Sequence, residues 1–218
     1  MKSFFNIKQI RHVICVLATM GLIANASADS QYHVVLDTSK LVGSGWLDLQ
    51  FNPGQDGATA AIADLTHFSG QLSSGQSPVL SGSVFGDLTG NTVFSNQGAY
   101  NDLFQAVNFG QVLSFNLRFS GAFLTTPGSF GTSFGLSLYG ADQVSLLGNP
   151  DPVSGSLLTF ELMPAATSGQ FGKVTPTVFD NAMLSVSAVP EPSEWLLMLV
   201  GLTMLGAIVR VQRWRIGR

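Results

Sequence analysis

Cysteine, histidine and positive charge are scarce in this sequence, and each shortage closes off a class of function. Its 218 residues hold one cysteine, three histidines and ten basic side chains. Cys15 stands early in the first apolar run, away from the C-terminal end of that run where a lipoprotein cysteine would be processed. Once that run is removed, no disulfide, thiolate metal site or cysteine nucleophile is available. Only His33 and His67 then remain, a poor zinc set without thiolates. Between residues 29 and 188 the cations are Lys40, Arg118 and Lys173, against ten aspartates and Glu161. Binding to a phosphate backbone depends on Lys and Arg releasing counterions, so an acidic region of this kind excludes nucleic acid as a partner. The same acidity suits solubility outside the cell.

Long apolar runs are also few, and both lie at the ends. Residues 1–28 combine Lys2, Lys8 and Arg11, an apolar run at 13–23, and the small-residue ending Ala26-Ser27-Ala28. This is the pattern of a secretory signal peptide, too short to span hydrocarbon about 30 Å thick, and it predicts cleavage by signal peptidase at the Ala26-x-Ala28 site. The mature chain then begins at Asp29. The second run, WLLMLVGLTMLGAIV at 195–209, has no charge and is followed by Arg210, Arg213, Arg215 and Arg218. As a helix it reaches only about 22 Å, so a membrane would have to thin, or Trp195, Trp214 and the arginines would have to anchor it. The cleaved signal and the positive-inside rule agree on one orientation, N-terminus out and basic tail in.

Directly before the second run stands Val189-Pro190-Glu191-Pro192-Ser193. Two prolines in three residues hold the stretch extended, as a peptide that a processing enzyme can grip. The order Pro-Glu-Pro, apolar helix, arginine cluster resembles the PEP-CTERM sorting signal of Gram-negative bacteria. That resemblance implies an exosortase-like transpeptidase as partner, reading Pro190, Glu191 and Pro192. It also implies residence in the inner membrane before sorting, then delivery to the cell surface or an exopolysaccharide matrix. Glu194 departs from the small polar residue common there, and the apolar run is short. The expected organisation is a signal peptide at 1–28, an ectodomain at 29–188 and a sorting signal at 189–218. Within the last, the motif is 189–193, the transmembrane helix 195–209 and the basic tail 210–218.

Between the ends, apolar and polar residues alternate with period two at 32–37, 46–51, 112–120, 133–139, 157–162 and 182–188. In the second of these Leu47, Leu49 and Phe51 share one face, with Trp46, Asp48 and Gln50 on the other. The segments are divided by turn sequences such as Asn52-Pro53-Gly54, Asp56-Gly57, Pro127-Gly128 and Gly148-Asn149-Pro150-Asp151-Pro152. The pattern predicts an all-β fold, a single antiparallel β-sandwich of jelly-roll type, with one short helix around 100–106. No fixed-period repeat supports a solenoid. The stretch from Asp37 to Gly54, with Tyr100-Asn101-Asp102 and Phe109-Gly110, is similar to a group of PEP-CTERM proteins whose β-rich ectodomains have no established activity. That similarity implies no catalytic residues.

Nothing in the ectodomain spells an enzyme. No nucleophile-elbow sequence accompanies His33 or His67, and a glycosidase needs two facing carboxyls, whereas Glu161 and Asp48 both fall on the wetter faces of their strands. Catalytic residues and cofactors are therefore expected to be absent. Calcium is the metal that the loop aspartates Asp56, Asp87, Asp102, Asp142, Asp151 and Asp180 could suit, Asp56 and Asp151 foremost, but no Asp-x-Asp-x-Asp ladder appears. Solvated turn aspartates account for the same positions. Trp46 and Tyr139 fall on the polar sides of their strands, where aromatics can stack on sugar rings or lie half-covered by a loop. The expectation is a non-enzymatic exported surface or matrix protein, associated with exopolysaccharide. The alternatives are a carbohydrate-binding module contacting its ligand through Trp46 and Tyr139, and a secreted hydrolase that joins a histidine to aspartates.

Overall fold

A computed structural model describes residues 30–189 and 198–205. The signal segment with Ala26 and Ala28, the motif residues Pro190, Glu191 and Pro192, and the basic tail lie outside the described residues. So do seven residues of the 195–209 run, of which 198–205 is helical with Leu199, Leu202 and Leu205 exposed. Among the described residues no helix is long and apolar enough to cross a membrane.

The fold is all-β. Its strands are β1 (Ser30–Asp37), β2 (Ser44–Pro53), β3 (Ile62–Ser69), β4 (Val79–Ser81), β5 (Val84–Gly86), β6 (Thr92–Ser95), β7 (Asp102–Asn108), β8 (Val112–Ser120), β9 (Thr132–Tyr139), β10 (Leu158–Met163), β11 (Lys173–Val178) and β12 (Leu184–Ala188). They form two six-stranded antiparallel sheets, ordered β12-β1-β8-β3-β6-β5 and β11-β10-β9-β2-β7-β4. The pairings are nested: β1 lies on β8, β2 on β7 and β3 on β6. Beyond these pairs, β9, β10 and β11 extend one sheet and β12 the other.

Alternation explains the core. Leu47, Leu49 and Phe51 of β2 are fully buried, as are Leu117 and Phe119 of β8, Phe134, Leu136 and Leu138 of β9, and Phe160 of β10. Residues from both sheets belong to one apolar cluster. Phe119 joins the two. Its ring lies 5.1 Å from Phe160, 6.0 Å from Phe134 and 6.3 Å from Phe51 across the core, and 6.2 Å from Tyr32 on its own sheet. Each such buried ring contributes about 1.5–3 kcal/mol by leaving water, and each favourable ring pair about 0.5–1.5 kcal/mol more.

The expected helix around 100–106 is a strand instead. In β7, Leu103 and Val107 point into the core while the partly exposed Phe104 and the buried Ala106 lie on the other side, so both faces carry apolar residues and the period of two is hidden in the letters. β3 also escapes a reading by alternation. Its register breaks between Thr66 and Ser69, where His67 takes a φ of 54°. The three-residue strands β4 and β5 are too short to show any period. Proline in β11 is tolerated because that strand is a sheet edge, where Pro176 lacks no needed donor.

Candidate binding face

The polar face of the β9-β2-β7 strands gathers side chains that are far apart in sequence. Trp46 of β2 stands directly opposite Tyr139 of β9 and opposite Ala106 of β7. Alanine there leaves room for the indole to lie against Phe104, with ring centroids 4.7 Å apart and planes only 11° from parallel. Phe104 in turn meets Tyr139 edge-on at 5.8 Å. Gly45, just before Trp46, is required by this packing: a Cβ there would fall 2.2 Å from the Tyr139 carbonyl and 2.2 Å from the Phe109 ring. The structure thus brings the two sequence-predicted sugar contacts, Trp46 and Tyr139, together and adds Phe104 between them.

Next along β2 comes a polar row. Gln50 Nε2 donates to Asp48 Oδ2 at 2.9 Å, Asn52 Nδ2 donates to Gln50 Oε1 at 3.3 Å, and the Asn101 amide donates to Asn52 Oδ1 at 2.7 Å. Asn101 is itself pinned, its Nδ2 donating to the Phe51 carbonyl at 2.9 Å and its Oδ1 accepting from the Ser83 amide at 2.8 Å. That clamp fixes its neighbours Tyr100 and Asp102. Gly82, at φ 70°, makes it possible, since a Cβ would stand 2.0 Å from the Tyr100 carbonyl.

Asp48 is a correction to the sequence reading. It lies on the expected face of β2 but is only 4% exposed, and Asp102, expected in a loop, sits in β7 at 6%. The two carboxyls are in hydrogen-bond contact. Burial, then the bond to and charge of Asp102, push the Asp48 carboxyl up to about 8, against a smaller downward pull from Gln50. Asp48 Oδ1 and Asp102 Oδ1 are buried with no hydrogen-bond partner. A proton on Asp48 shared with Asp102 satisfies both oxygens at once, the usual resolution when two acids are buried side by side. The Tyr100 phenol also bonds to Asp102, and partial burial followed by the charges of Asp102 and Asp48 push it up to about 12. Tyr139 is raised by burial first and by the same acids second.

Neither histidine joins this pair. His33 Nδ1 contacts Asn116 Oδ1 at 2.8 Å and His67 Nδ1 contacts Thr66 Oγ1 at 3.0 Å, both on the other sheet. Two acids in contact also differ from the separated carboxyls, about 5–9.5 Å apart, between which a glycosidase places sugar and water.

The loop aspartates are engaged locally. Asp87 accepts from the Thr89 amide at 2.8 Å, Asp142 from the Ser145 amide at 3.0 Å, Asp151 from the Ser154 amide at 2.8 Å and Asp180 from the Asn149 amide at 2.7 Å. Bonds to the Thr89 and Ser145 side chains come first in holding Asp87 and Asp142 below the usual carboxylate range, and the Ser154 amide does so for Asp151. Asp56 is exposed and lines an open hollow of about 400 Å³ with Gln55, Asn96 and Gln97. Asp56 and Asp151 are not brought together. Among the described residues no group of three or more His, Cys, Asp or Glu side chains is placed to hold a metal ion.

Phe104, Tyr100 and the pairing of Asp48 with Asp102 escaped the sequence reading. Their signal was the alternation Tyr100, Asp102, Phe104, Ala106, which repeats the aromatic-acid mixture of Trp46, Asp48, Gln50 on the neighbouring strand. Set against known proteins, the chain matches no family model, and no curated protein or solved structure matches it either.

Proposed function

We propose that this is a non-enzymatic, exported cell-surface or matrix protein and that its β9-β2-β7 face holds a polysaccharide chain. The observation that carries the glycan half is the run of Trp46, Phe104 and Tyr139 beside a fixed polar row. A sugar ring offers C–H faces and hydroxyl edges, so it is matched by aromatic surface flanked by oriented donors and acceptors. Gln50, Asn52 and the Tyr139 hydroxyl provide them. The carboxyl contact, which leaves no gap for a reacting water, supports a binding role over hydrolysis. On a glycan array, Trp46→Ala and Tyr139→Ala should each lower affinity tenfold or more with the thermal transition retained. Undiminished binding by both variants would remove this face from consideration.

The domain is read as a β-sandwich of jelly-roll type. Support comes from the nested pairing of β1 with β8, β2 with β7 and β3 with β6, and from ring contacts such as Phe119 with Phe160 that cross from one sheet to the other.

Export and sorting rest on the terminal sequences. The β12 strand pairs with β1, and the Val189 amide donates to the Gln31 carbonyl at 2.8 Å. Both ends of the domain therefore leave from one place, immediately before Pro190, as suits a domain tethered at a single point. Replacing Pro190, Glu191 and Pro192 with alanines should strand full-length protein in the inner membrane, as read by fractionation and intact mass. Normal surface delivery of that variant would refute the sorting role.

A further inference from the structure

We propose that the Trp46–Phe104–Tyr139 face selects uncharged glycans and turns away those bearing uronate or sulfate groups, with Tyr100 as its fourth ring. The inference rests on the glycan reading above and adds the class of sugar.

The first ground is what lies beneath the rings. Asp48 and Asp102 lie side by side, both more than nine-tenths buried, and each has one buried oxygen without a hydrogen-bond partner. The Asp102 carboxyl is already engaged by Asp48 and by the phenol of Tyr100. It therefore asks for no cation from a ligand, while an anion laid on the rings would face a negative charge screened by little water.

The second ground is the distribution of cations. Of the three between residues 29 and 188, Lys40 stands in the β1–β2 turn beside Asp37. Arg118 points outward from β8 on the other sheet. Lys173 begins the far edge strand β11, on the order of 30 Å from Trp46 by strand spacing and rise. The groups that face the acid pair are Gln50 from β2, Ser137 and Tyr139 from β9, and Tyr100 just ahead of β7. In the β4 register Ser81 stands opposite Asp102 and Val79 opposite Phe104. None of these can neutralise a bound carboxylate or sulfate.

The third ground is Tyr100. About half of it is exposed, yet the Asn101 clamp and its bond to Asp102 hold it at the edge of the face. Its hydroxyl is thereby oriented toward the acids, leaving the ring as open surface.

The test uses the detergent-solubilised full chain and three dextran probes of equal length: dextran, carboxymethyl-dextran and diethylaminoethyl-dextran, beside a glycan array of neutral, uronate-containing and amino-sugar oligosaccharides. Neutral glycans should bind at least tenfold more tightly than their anionic counterparts at pH 7. Asp102→Asn should narrow that ratio, and raising the pH from 7 to 9 should widen it by ionising Asp48. Asp48→Asn, whose amide still donates to Asp102 but has no such proton to lose, should abolish the pH effect. If anionic glycans bind as well as neutral ones, or amino sugars bind best and lose this in Asp102→Asn, the selectivity is wrong and the glycan reading stands. If no glycan binds, both fall.

Discussion

The two sheets share one core but present different faces to solvent. On the β1-β8-β3 side the outward residues include the polar groups His33, Asn116, Thr66, Asp64 and Arg118, all at least partly exposed, with Val35, Ile62 and Val112 scattered among them. On the β9-β2-β7 side the outward residues are Trp46, Phe104 and Tyr139 over a buried pair of acids. Stability does not call for the second arrangement. A buried acid pair costs free energy that a pair of apolar side chains would not, and rings kept partly open forgo part of their burial. A face that forgoes stability while its opposite number does not is where a ligand is to be sought.

The largest expected effect tests the shared part. Phe119→Ala removes the ring that touches Tyr32, Phe51, Phe134 and Phe160, and should cost about 3–5 kcal/mol in denaturant unfolding. Both outer faces should be lost together in that transition. Separate transitions for the two sheets would break the premise that a single core supports them.

That core was the legible part of the fold. Leu47, Leu49, Phe51, Phe115, Phe119 and Phe134 alternate so regularly that the strands carrying them could be placed from letters alone, and β8 begins and ends where the alternation does. β7 was illegible because both of its faces carry apolar side chains, which hides the period of two in Leu103-Phe104-Gln105-Ala106-Val107. The binding face was half legible. Trp46 and Tyr139 could be seen on polar sides of their strands, but only the register of β2 with β9 and β7 puts Tyr139, Phe104 and Asp102 beside them. Strand order is set by long-range pairing, and no local period encodes it. The turn aspartates were readable as turn chemistry because Asp87, Asp142 and Asp151 bond to amides two or three residues on, which is a local property.

The acid pair gives the next effect and it has a sign. Asp48 is raised from 3.8 to about 8 in the folded protein, so folding favours its protonated form. Its contribution to stability is complete below the unfolded value and is lost as pH climbs through the folded one, across the window from about 4 to 8. The surface aspartates Asp87, Asp142 and Asp151 are lowered and act oppositely, their contribution being lost as pH falls through their folded values. Asp48→Asn should therefore stabilise the protein at pH 8 by roughly 1–4 kcal/mol relative to its effect at pH 4, because an amide need not be kept protonated. Melting curves at the two pH values measure this. An equal effect at both would mean that the pair does not share a proton, and the contrast between the faces would lose its electrostatic half.

The smallest effect belongs to the other face. His33 is half-buried, and its Nδ1 meets Asn116 on the neighbouring strand. Cross-strand polar pairs of this kind are worth about 0.2–1 kcal/mol. His33→Ala should therefore shift stability by no more than about 1 kcal/mol and leave glycan affinity unchanged, while Trp46→Ala lowers affinity tenfold or more. Measuring both variants on the same array separates a ligand face from a merely solvated one. A loss of binding in His33→Ala comparable to that in Trp46→Ala would place recognition on the β1-β8-β3 side, because a side chain on the far side of the core can otherwise reach the ligand only by unfolding the domain, which the small stability change would exclude.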